Sequence, residues 1–505
     1  MKKTAVFLMV LIILTKLLGF IRELVLSYFY GASNITDAYL ISTTIPMVVF
    51  SFIAAGISTG YIPMLSKIEN DSGEDEGIRY TNNLINVLLS LCTVLLLLGW
   101  GFTENLVRIF ASGFEGETLA LAVKFTRISL TGMYFMGTLS ICNSFSQIKG
   151  NYYVPAIGGS LTNIVLIASI MLSARSNIVI LAIGSVLSLA VPVVWLIPFI
   201  RRKGFKFRPI LDLKDEHIKK MLYIALPVVL GMSVNQINIV VDRTIASGII
   251  VGGISALNYA NRINTLIQGI FVFAIVTIMY PRLSKMAAEY DFKGIKENAV
   301  KAINATNLIL TPAMVGIMIF AEPIVRLLFN RGAFDDNAVT LTSVALFFLS
   351  LGMIAFGQRD ILTRVFYSLQ DTKTPMINAS IAIVLNILLN IVLSRYLGIG
   401  GLALATSISA IFGTVLLSIS LRKKLGPFGL KNVSFSFMKI VFASLLMGII
   451  AKLIYQGLLN ATSANISLVA AIGFGALLYF VIIFFMKIDE VDTAVSALRS
   501  KFNIG

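Results

Sequence analysis

The sequence predicts an all-α polytopic membrane protein, and three observations carry that prediction. Hydrophobic residues make up 57% of the 505 and charged residues 13%, with mean hydropathy +0.88; soluble globular chains carry roughly a quarter charged residues. Apolar stretches of about twenty residues, enough to cross a hydrocarbon core of about 30 Å, recur from end to end. The basic residues are also sorted. When the stretches are taken as spans and successive loops are assigned to opposite sides, one side holds 26 Lys and Arg and the other 5. That is the asymmetry of cytoplasmic loops, and it places both termini in the cytoplasm.

Fourteen spans are expected. Six fall at about 5–29, 35–66, 82–102, 124–148, 154–174 and 177–200. Six more fall at about 221–249, 254–281, 302–321, 339–368, 376–396 and 400–421, and two at about 436–456 and 465–486. The N-terminus (Lys2, Lys3, then apolar residues) resembles a signal peptide, but no small-x-small cleavage site follows and the apolar run continues to Phe29. It reads as a retained first span. The segment Glu322–Asp336 reads as a short amphipathic helix on the outer surface, and the acidic stretch Glu69–Glu76 as a solvated inner loop.

The chain repeats itself. Pro63-Met-Leu-Ser-Lys67 returns as Pro281-Arg-Leu-Ser-Lys285 after 218 residues, Pro155 as Pro375 after 220, and Arg201-Arg202-Lys203 as Arg422-Lys423-Lys424 after 221. The offset crosses six spans, an even number, so the halves share orientation. Parallel repeats of this kind are a transporter architecture with substrate held between the halves. The expected organisation is a six-helix lobe over 1–203, a second over 204–424, and two further helices with a cytoplasmic tail over 425–505.

Composition excludes several function classes. The net charge of +16 is accounted for by the loop asymmetry, so no nucleic-acid partner is expected. Cys92 and Cys142 fall in apolar spans and read as inert buried thiols. The single histidine, His217, lies in a basic loop and reads as a solvated side chain. Neither a phosphate loop nor zinc-ligand spacing nor a serine triad is present. An enzyme at the membrane surface needs clustered carboxylates or histidines in loops, so a transporter without catalytic residues is expected.

Charged residues inside spans are costly and face a wet cavity or a partner. In Thr15-Lys-Leu-Leu-Gly-Phe-Ile-Arg-Glu23, Lys16, Gly19 and Glu23 share one helical stripe, with Arg22 beside it. Two readings stand for these charges, an anion-facing wall and a structural ion pair of Glu23 with Lys16 or Arg22. Arg262 in the eighth span is expected at a depth similar to Arg22, and two guanidinium groups at one level would clamp a pyrophosphate bidentately. Asp37 either orients one of these arginines or caps its own helix. Asp360 and Arg364, four apart, read as a helix-surface ion pair. Asp242, Asn386, Asn390 and Thr406 are hard oxygen donors of the kind sodium requires; the other reading is inter-helix hydrogen bonding with a local Asp242–Arg243 pair.

Several of these segments resemble the MurJ (MviN) family, the lipid II flippases of the multidrug/oligosaccharidyl-lipid/polysaccharide exporter superfamily. The resemblance is carried by Leu18-Gly-Phe-Ile-Arg-Glu23, Gly31-Ala-Ser-Asn-Ile-Thr-Asp-Ala38, Ile254-Ser-Ala-Leu-Asn-Tyr-Ala260 with Arg262, Phe329-Asn-Arg-Gly-Ala-Phe334 and Gln370-Asp-Thr-Lys-Thr-Pro375. It implies fourteen helices, two six-helix lobes about a cationic cavity, and a lateral groove from the last two helices for a lipid tail. It implies that Arg22 and Arg262 stand for essential cavity arginines, Asp37 for a family aspartate, and Lys16 for an arginine of many members. Asp242, Asn386, Asn390 and Thr406 fall where the family has a sodium site, Asn390 replacing an acidic ligand. The expected activity is outward translocation of lipid II across a bacterial inner membrane by alternating access. The expected partners are that lipid-linked anionic glycan, membrane lipids, and the cell-wall elongation or division machinery. One departure keeps another polyprenyl-pyrophosphate glycan in view as substrate: many members carry an arginine pair after the proline of span two, where this chain has Phe50 and Ser51. A cation exporter would need an acidic interior, and a non-transporting scaffold would not need charges inside its spans.

Overall fold

Most helices follow one another with only a few intervening residues, the segment between Arg202 and Glu216 being the main exception among the described residues, as expected where backbone polar groups must be satisfied within each segment. A computed structural model describes residues 2–427, 429–486, 488 and 491, and no strand occurs among them. Lys487, Arg499 and Lys501, three of the inner-side basic residues, lie outside the described residues, as does most of the expected tail. The chain divides into two compact units.

Unit 1 takes in the chain to Ser255 together with Arg331–Ala338. Its helices are α1 (Lys2–Tyr30), α2 (Asn34–Gly56), α3 (Ile62–Ser72), α4 (Glu74–Gly101), α5 (Thr103–Phe110), α6 (Gly116–Ser129), α7 (Gly132–Ile148), α8 (Tyr153–Arg175), α9 (Val179–Arg202) and α10 (Glu216–Ser247). A π-helical stretch, Ile57–Tyr61, joins α2 to α3 without a break. Unit 2 takes in Ala256–Asn330 and the chain from Val339 onward. To it belong most of α11 (Gly253–Ala288), all of α12 (Phe292–Phe329), most of α13 (Asp336–Ser350), and all of α14 (Met353–Ser368), α15 (Lys373–Leu397), α16 (Ile399–Leu425), α17 (Leu430–Leu458) and α18 (Ala464–Phe485). The repeat groups residues 204–255 with the second half; by packing they lie in unit 1.

Each of the fourteen expected stretches falls on helix. Ten helices among the described residues are long and apolar enough to span a membrane, or up to eleven if the bent pair α13–α14 counts as one span. The count of fourteen therefore stays an expectation. The expected first and seventh spans are α1 and α10, 29 and 32 residues long. The expected fourth is built from α6 and α7, broken at Leu130–Thr131. Within Glu322–Asp336, the part to Phe329 is a short helix set off from the rest of α12 by a kink at Phe320 (φ −111, ψ 23), and it is amphipathic, with Glu322 and Arg326 exposed and Val325 and Phe329 buried. The acidic stretch is helix end and turn rather than loop, and Lys149 bridges Glu69 and Glu74 at 3.0 and 2.9 Å.

Between helices in lipid there is little hydrophobic gain, so close contact of small residues and polar pairs holds them together. In unit 1, α1 meets α8 this way. Gly19 lies against Asn163, Gly159 against Thr15, and the Thr15 and Ser160 hydroxyls are 2.8 Å apart. In unit 2, Met279 and Leu283 of α11, Ile295 and Ala299 of α12, Val365 and Phe366 of α14, and Leu417 of α16 form one apolar cluster. α17 and α18 pack on α12 through Ile440, Ala443, Met447, Tyr479 and Ile483 around Val315.

The repeat extends into geometry that the three sequence matches do not include. Glu104–Arg108 and Glu322–Arg326, 218 residues apart, form the same i, i+4 ion pair at 2.9 and 3.0 Å. Before Pro155 and Pro375, Gly150 (φ +79) and Gln370 (φ +57) both take the left-handed conformation. The next residue, Asn151 or Asp371, donates its N–H five residues back and accepts the N–H of Val154 or Thr374 on its side-chain oxygen. Lys424 also donates to Asp371 at 2.6 Å. Burial works to raise the Asp371 carboxyl, but hydrogen bonds from Lys424 and Thr374 outweigh it and hold the group below its usual range.

Candidate functional site

The charged stripe of α1 is built around its contact with α8. Arg22 donates to Glu23 beside it and, at 3.2 Å, to Asn163 Oδ1 of α8. Asn163 in turn donates to Gly159 O at 3.0 Å, which fixes the amide. The Glu23 side chain is 2% exposed and that of Arg22 20%, so the carboxylate is sealed and the guanidinium keeps an open edge. The ion-pair reading of this stripe is therefore realised for Arg22. The bound acid also orients the planar donor fork, leaving part of it accessible. Lys16 lies two turns earlier and is partly buried.

Asp37 does neither of the two things expected of it. Ser33 caps α2, accepting from Thr36 N. The Asp37 carboxylate instead accepts three hydrogen bonds from the start of α11: Gly252 N at 2.8 Å on Oδ2, and Ser255 N at 2.8 Å and Ser255 Oγ at 2.7 Å on Oδ1. The side chain is 2% exposed. A carboxylate on the exposed N–H groups of a helix's first turn satisfies donors that have no intrahelical partner and complements the helix dipole. Arg243 joins the same turn, donating to Ile254 O at 3.3 Å. Gly252 (φ +81) lets the turn approach, since a Cβ there would sit 2.4 Å from Ala32 O.

Segment 331–334 packs beside these residues within unit 1. Ala333 N donates to Tyr28 O at 2.8 Å. Gly31 and Gly332, both at positive φ, bring the strands of chain so close that a Cβ on either would lie 2.3 or 2.2 Å from a backbone oxygen. The motifs Gly31–Ala38, Ile254–Ala260 and Phe329–Phe334, far apart in sequence, thus meet in one layer through Gly31, Asp37, Ser255 and Ala333.

In unit 2, Arg262 is set by the opposite face of α11. Tyr259, Ala260 and Ile263 are buried, Tyr259 against Phe329 with ring centroids 5.2 Å apart. Asn261, Arg262 and Thr265 are exposed together. An arginine in mid-helix flanked by an exposed amide and hydroxyl marks a wetted face, because hydrocarbon would penalise all three. Phe50, at one of the positions where the resemblance led to an arginine, is 4% exposed and packs near Gly137, while Ser51 bonds its own helix at Val48 O. Arg364 stacks over the rings of Tyr280 and Tyr367, each at 5.8 Å.

Among the candidate sodium ligands, α15 and α16 bring Asn386, Asn390 and Ser409 together. Asn390 donates to Asn386 Oδ1 at 3.0 Å, and Asn386 to Ser409 Oγ at 3.2 Å. Thr406 bonds Leu402 O of its own helix. Asp242 belongs to unit 1, where Asn238 donates to it at 3.3 Å. Among the described residues no group of three or more His, Cys, Asp or Glu is placed to hold a metal ion; the donor set is one of neutral oxygens plus a single carboxylate.

Sequence reasoning missed Asn163 and the role of Ser255; it noted Arg243 only beside Asp242, not its bond to Ile254 O. Ser255 sat inside one of the resembling motifs; nothing in the pattern singled out Asn163. His217, expected to be solvated, is partly buried with its ring edge against Tyr80 at 6.2 Å.

The family model for "Lipid II flippase MurJ" matches residues 26–472. The chain is 28% identical to the "Probable lipid II flippase MurJ" of Buchnera aphidicola subsp. Baizongia pistaciae over 81% of each chain. It is 28% identical to the "Lipid II flippase MurJ" of Burkholderia cenocepacia over 82% of each, and 25% identical to a probable MurJ of Thermotoga maritima over 95% of each. Its structure is similar to that of a lipid II flippase MurJ in an inward closed conformation, with TM-score 0.82, 26% identity, and coverage of 94% of this chain and 98% of the other. An inward-facing multidrug transporter of the MATE family shares the fold at TM-score 0.70 and 16% identity, over 81% of this chain and 94% of the other. With a family model covering nearly all the spans, this multi-pass membrane protein belongs to the MurJ lipid II flippase family.

Proposed function

We propose that the protein moves lipid II from the inner to the outer leaflet of a bacterial inner membrane by alternating access, without changing it chemically. The observation that carries this is Arg262, an exposed mid-helix arginine on a polar face of α11, in a chain whose relatives are lipid II flippases. Arg262, the open edge of Arg22, and Lys16 receive the pyrophosphate. A guanidinium held by one acid still offers free donors in a plane, and planar donors suit phosphate oxygens. Both termini face the cytoplasm; the loop asymmetry of 26 to 5 supports this. The membrane potential then helps, because carrying an anion outward from a negative interior gains about 2.3 kcal/mol per elementary charge per 100 mV. The polyprenyl tail stays in lipid, against the exposed apolar side chains of α17 and α18 such as Phe442, Leu453, Phe474 and Phe480.

Sodium coupling is part of the same proposal. Asp242, Asn386, Asn390 and Thr406 are hard oxygen donors of the kind sodium takes, and a bound sodium would contribute one positive charge to the cycle. A second reading, a different polyprenyl-pyrophosphate glycan, is favoured by Phe50, whose buried ring cannot bind phosphate. Depletion of the protein in its host distinguishes the two. The lipid-linked precursor that accumulates should be lipid II; accumulation of another glycan lipid with lipid II unchanged would select the second reading.

A further inference from the structure

The motif Pro63-Met-Leu-Ser-Lys67 has a use that the transport reading does not absorb. In unit 1 a cavity of about 530 Å³ is lined by Pro63, Met64 and Lys67 of α3 and by Lys219, Lys220 and Tyr223 of α10. Its walls are firmly placed. On α10 the stripe Ile218, Met221, Ala225 is buried, which turns Lys219, Lys220 and Tyr223 outward. Gly60 of the π-helical stretch allows this approach, because a Cβ there would overlap Met221 Cγ at 2.5 Å. Tyr80 also donates to Met221 Sδ at 3.2 Å, and Asp215 caps α10 through His217 N at 2.8 Å. On α3, Met64, Leu65 and Ile68 are buried, which leaves Pro63 and Lys67 on the other side.

Three ammonium groups thus line one hollow, and among the described residues no acidic one lines it with them. Lys220 makes a loose pair with Glu216 at 3.6 Å, both side chains well exposed. Like charges gathered in a concavity raise the local potential and draw an anion. The rest of the lining is apolar or aromatic, and Tyr223 is 81% exposed in the early turns of α10, the expected seventh span; tyrosine at the end of a span sits at headgroup level. A small soluble anion has no use for that apolar floor.

We propose that this hollow binds the phosphate of an anionic membrane lipid, with Lys67, Lys219 and Lys220 on the phosphate and Pro63, Met64 and Tyr223 against the glycerol and upper chain. The site is independent of transport and of Arg22 and Arg262. It is tested on the full chain in an uncharged detergent, by native mass spectrometry with dioleoyl phosphatidylglycerol and by equilibrium dialysis with inorganic pyrophosphate. A basic side chain near an anionic headgroup contributes about 1 kcal/mol, so each single Lys→Gln variant should weaken phosphatidylglycerol about fivefold and the triple variant about a hundredfold. Tyr223→Ala should weaken the lipid and leave pyrophosphate unchanged, and Lys214→Gln should change neither. Should the triple variant misfold, the three single variants decide. Unchanged lipid affinity in well-folded lysine variants would overturn the site. Pyrophosphate binding as tightly as the lipid, and weakened by the same lysine variants, would overturn the lipid as its occupant.

Discussion

Asp37→Asn should destabilise the protein by breaking a junction that no neighbouring residue can replace. Both carboxylate oxygens are engaged by N–H donors, Gly252 N and Ser255 N at 2.8 Å each. An asparagine amide offers one oxygen and one NH₂. Whichever way it is turned, a donor faces a donor, so one bond is lost and one buried N–H is stranded. A hydrogen bond to a charged group contributes about 1.5–3 kcal/mol and a stranded buried donor costs about 1–3 kcal/mol. Since these overlap, about 2–3 kcal/mol is the expected loss, or roughly 4–12 °C of melting temperature at about 2–4 °C per kcal/mol for a unit of this size. Asp37→Ala strands both N–H donors, while the Ser255 hydroxyl keeps Gly252 O at 3.1 Å, and should lose more. Ser255→Ala removes the 2.7 Å hydroxyl bond to Asp37 and the hydroxyl's 3.1 Å contact with Gly252 O, leaves both N–H bonds, and should lose about 1 kcal/mol. In a double-mutant cycle the two alanine losses should fall short of additive, because they share one bond. The assay is thermal unfolding of the purified protein in detergent, followed by the fraction remaining monodisperse. A melting temperature for Asp37→Asn within a degree of the parent would refute the assignment of Asp37 to the start of α11.

Gly332→Ala should abolish accumulation of folded protein. Its φ of +63 is costly for any residue with a Cβ, and that atom would lie 2.2 Å from Tyr28 O, a backbone oxygen that no rotamer can move. Gly316→Ala, with nothing within 4 Å, should be neutral or stabilising by up to about 1 kcal/mol in the same melting assay. Asn83→Ala should loosen the segment 205–214. Asn83 accepts from Asp212 N at 2.7 Å and donates to Asp212 O at 3.0 Å and Asp215 Oδ2 at 2.8 Å. Faster trypsin cleavage at Lys206 or Lys214 would report it, and unchanged cleavage would not fit.

What the sequence made legible follows from local rules. The spans could be read because each satisfies its own backbone and needs only length and apolarity. The repeat was legible because the turns at Pro155 and Pro375, and the basic ends after α9 and α16, use the same residue types for the same local geometry. Arg262 stood out as a charge where charges are costly. The rest depended on partners far along the chain. Asp37 meets Gly252 and Ser255, 215 and 218 residues away, so its own neighbourhood suggested only a cap of α2. Asn82, Asn83 and Asn86 of α4 hold segment 205–212 extended by pairing with its backbone more than 120 residues on; as letters they were three ordinary polar residues at the start of a span. The three lysines of the α3–α10 cavity were visible only as positive loop charge. Arg22 lay between these cases: its importance was legible and its contact with Asn163 was not.

The most direct test places purified protein in sealed vesicles with fluorescent lipid II. The fraction of headgroup that becomes accessible to a membrane-impermeant quencher on the far side is then followed, for the parent and for Arg262→Ala of equal melting temperature. The account predicts that the parent equilibrates lipid II between leaflets and that Arg262→Ala does not exceed empty vesicles. Equal translocation by a well-folded Arg262→Ala protein would contradict it.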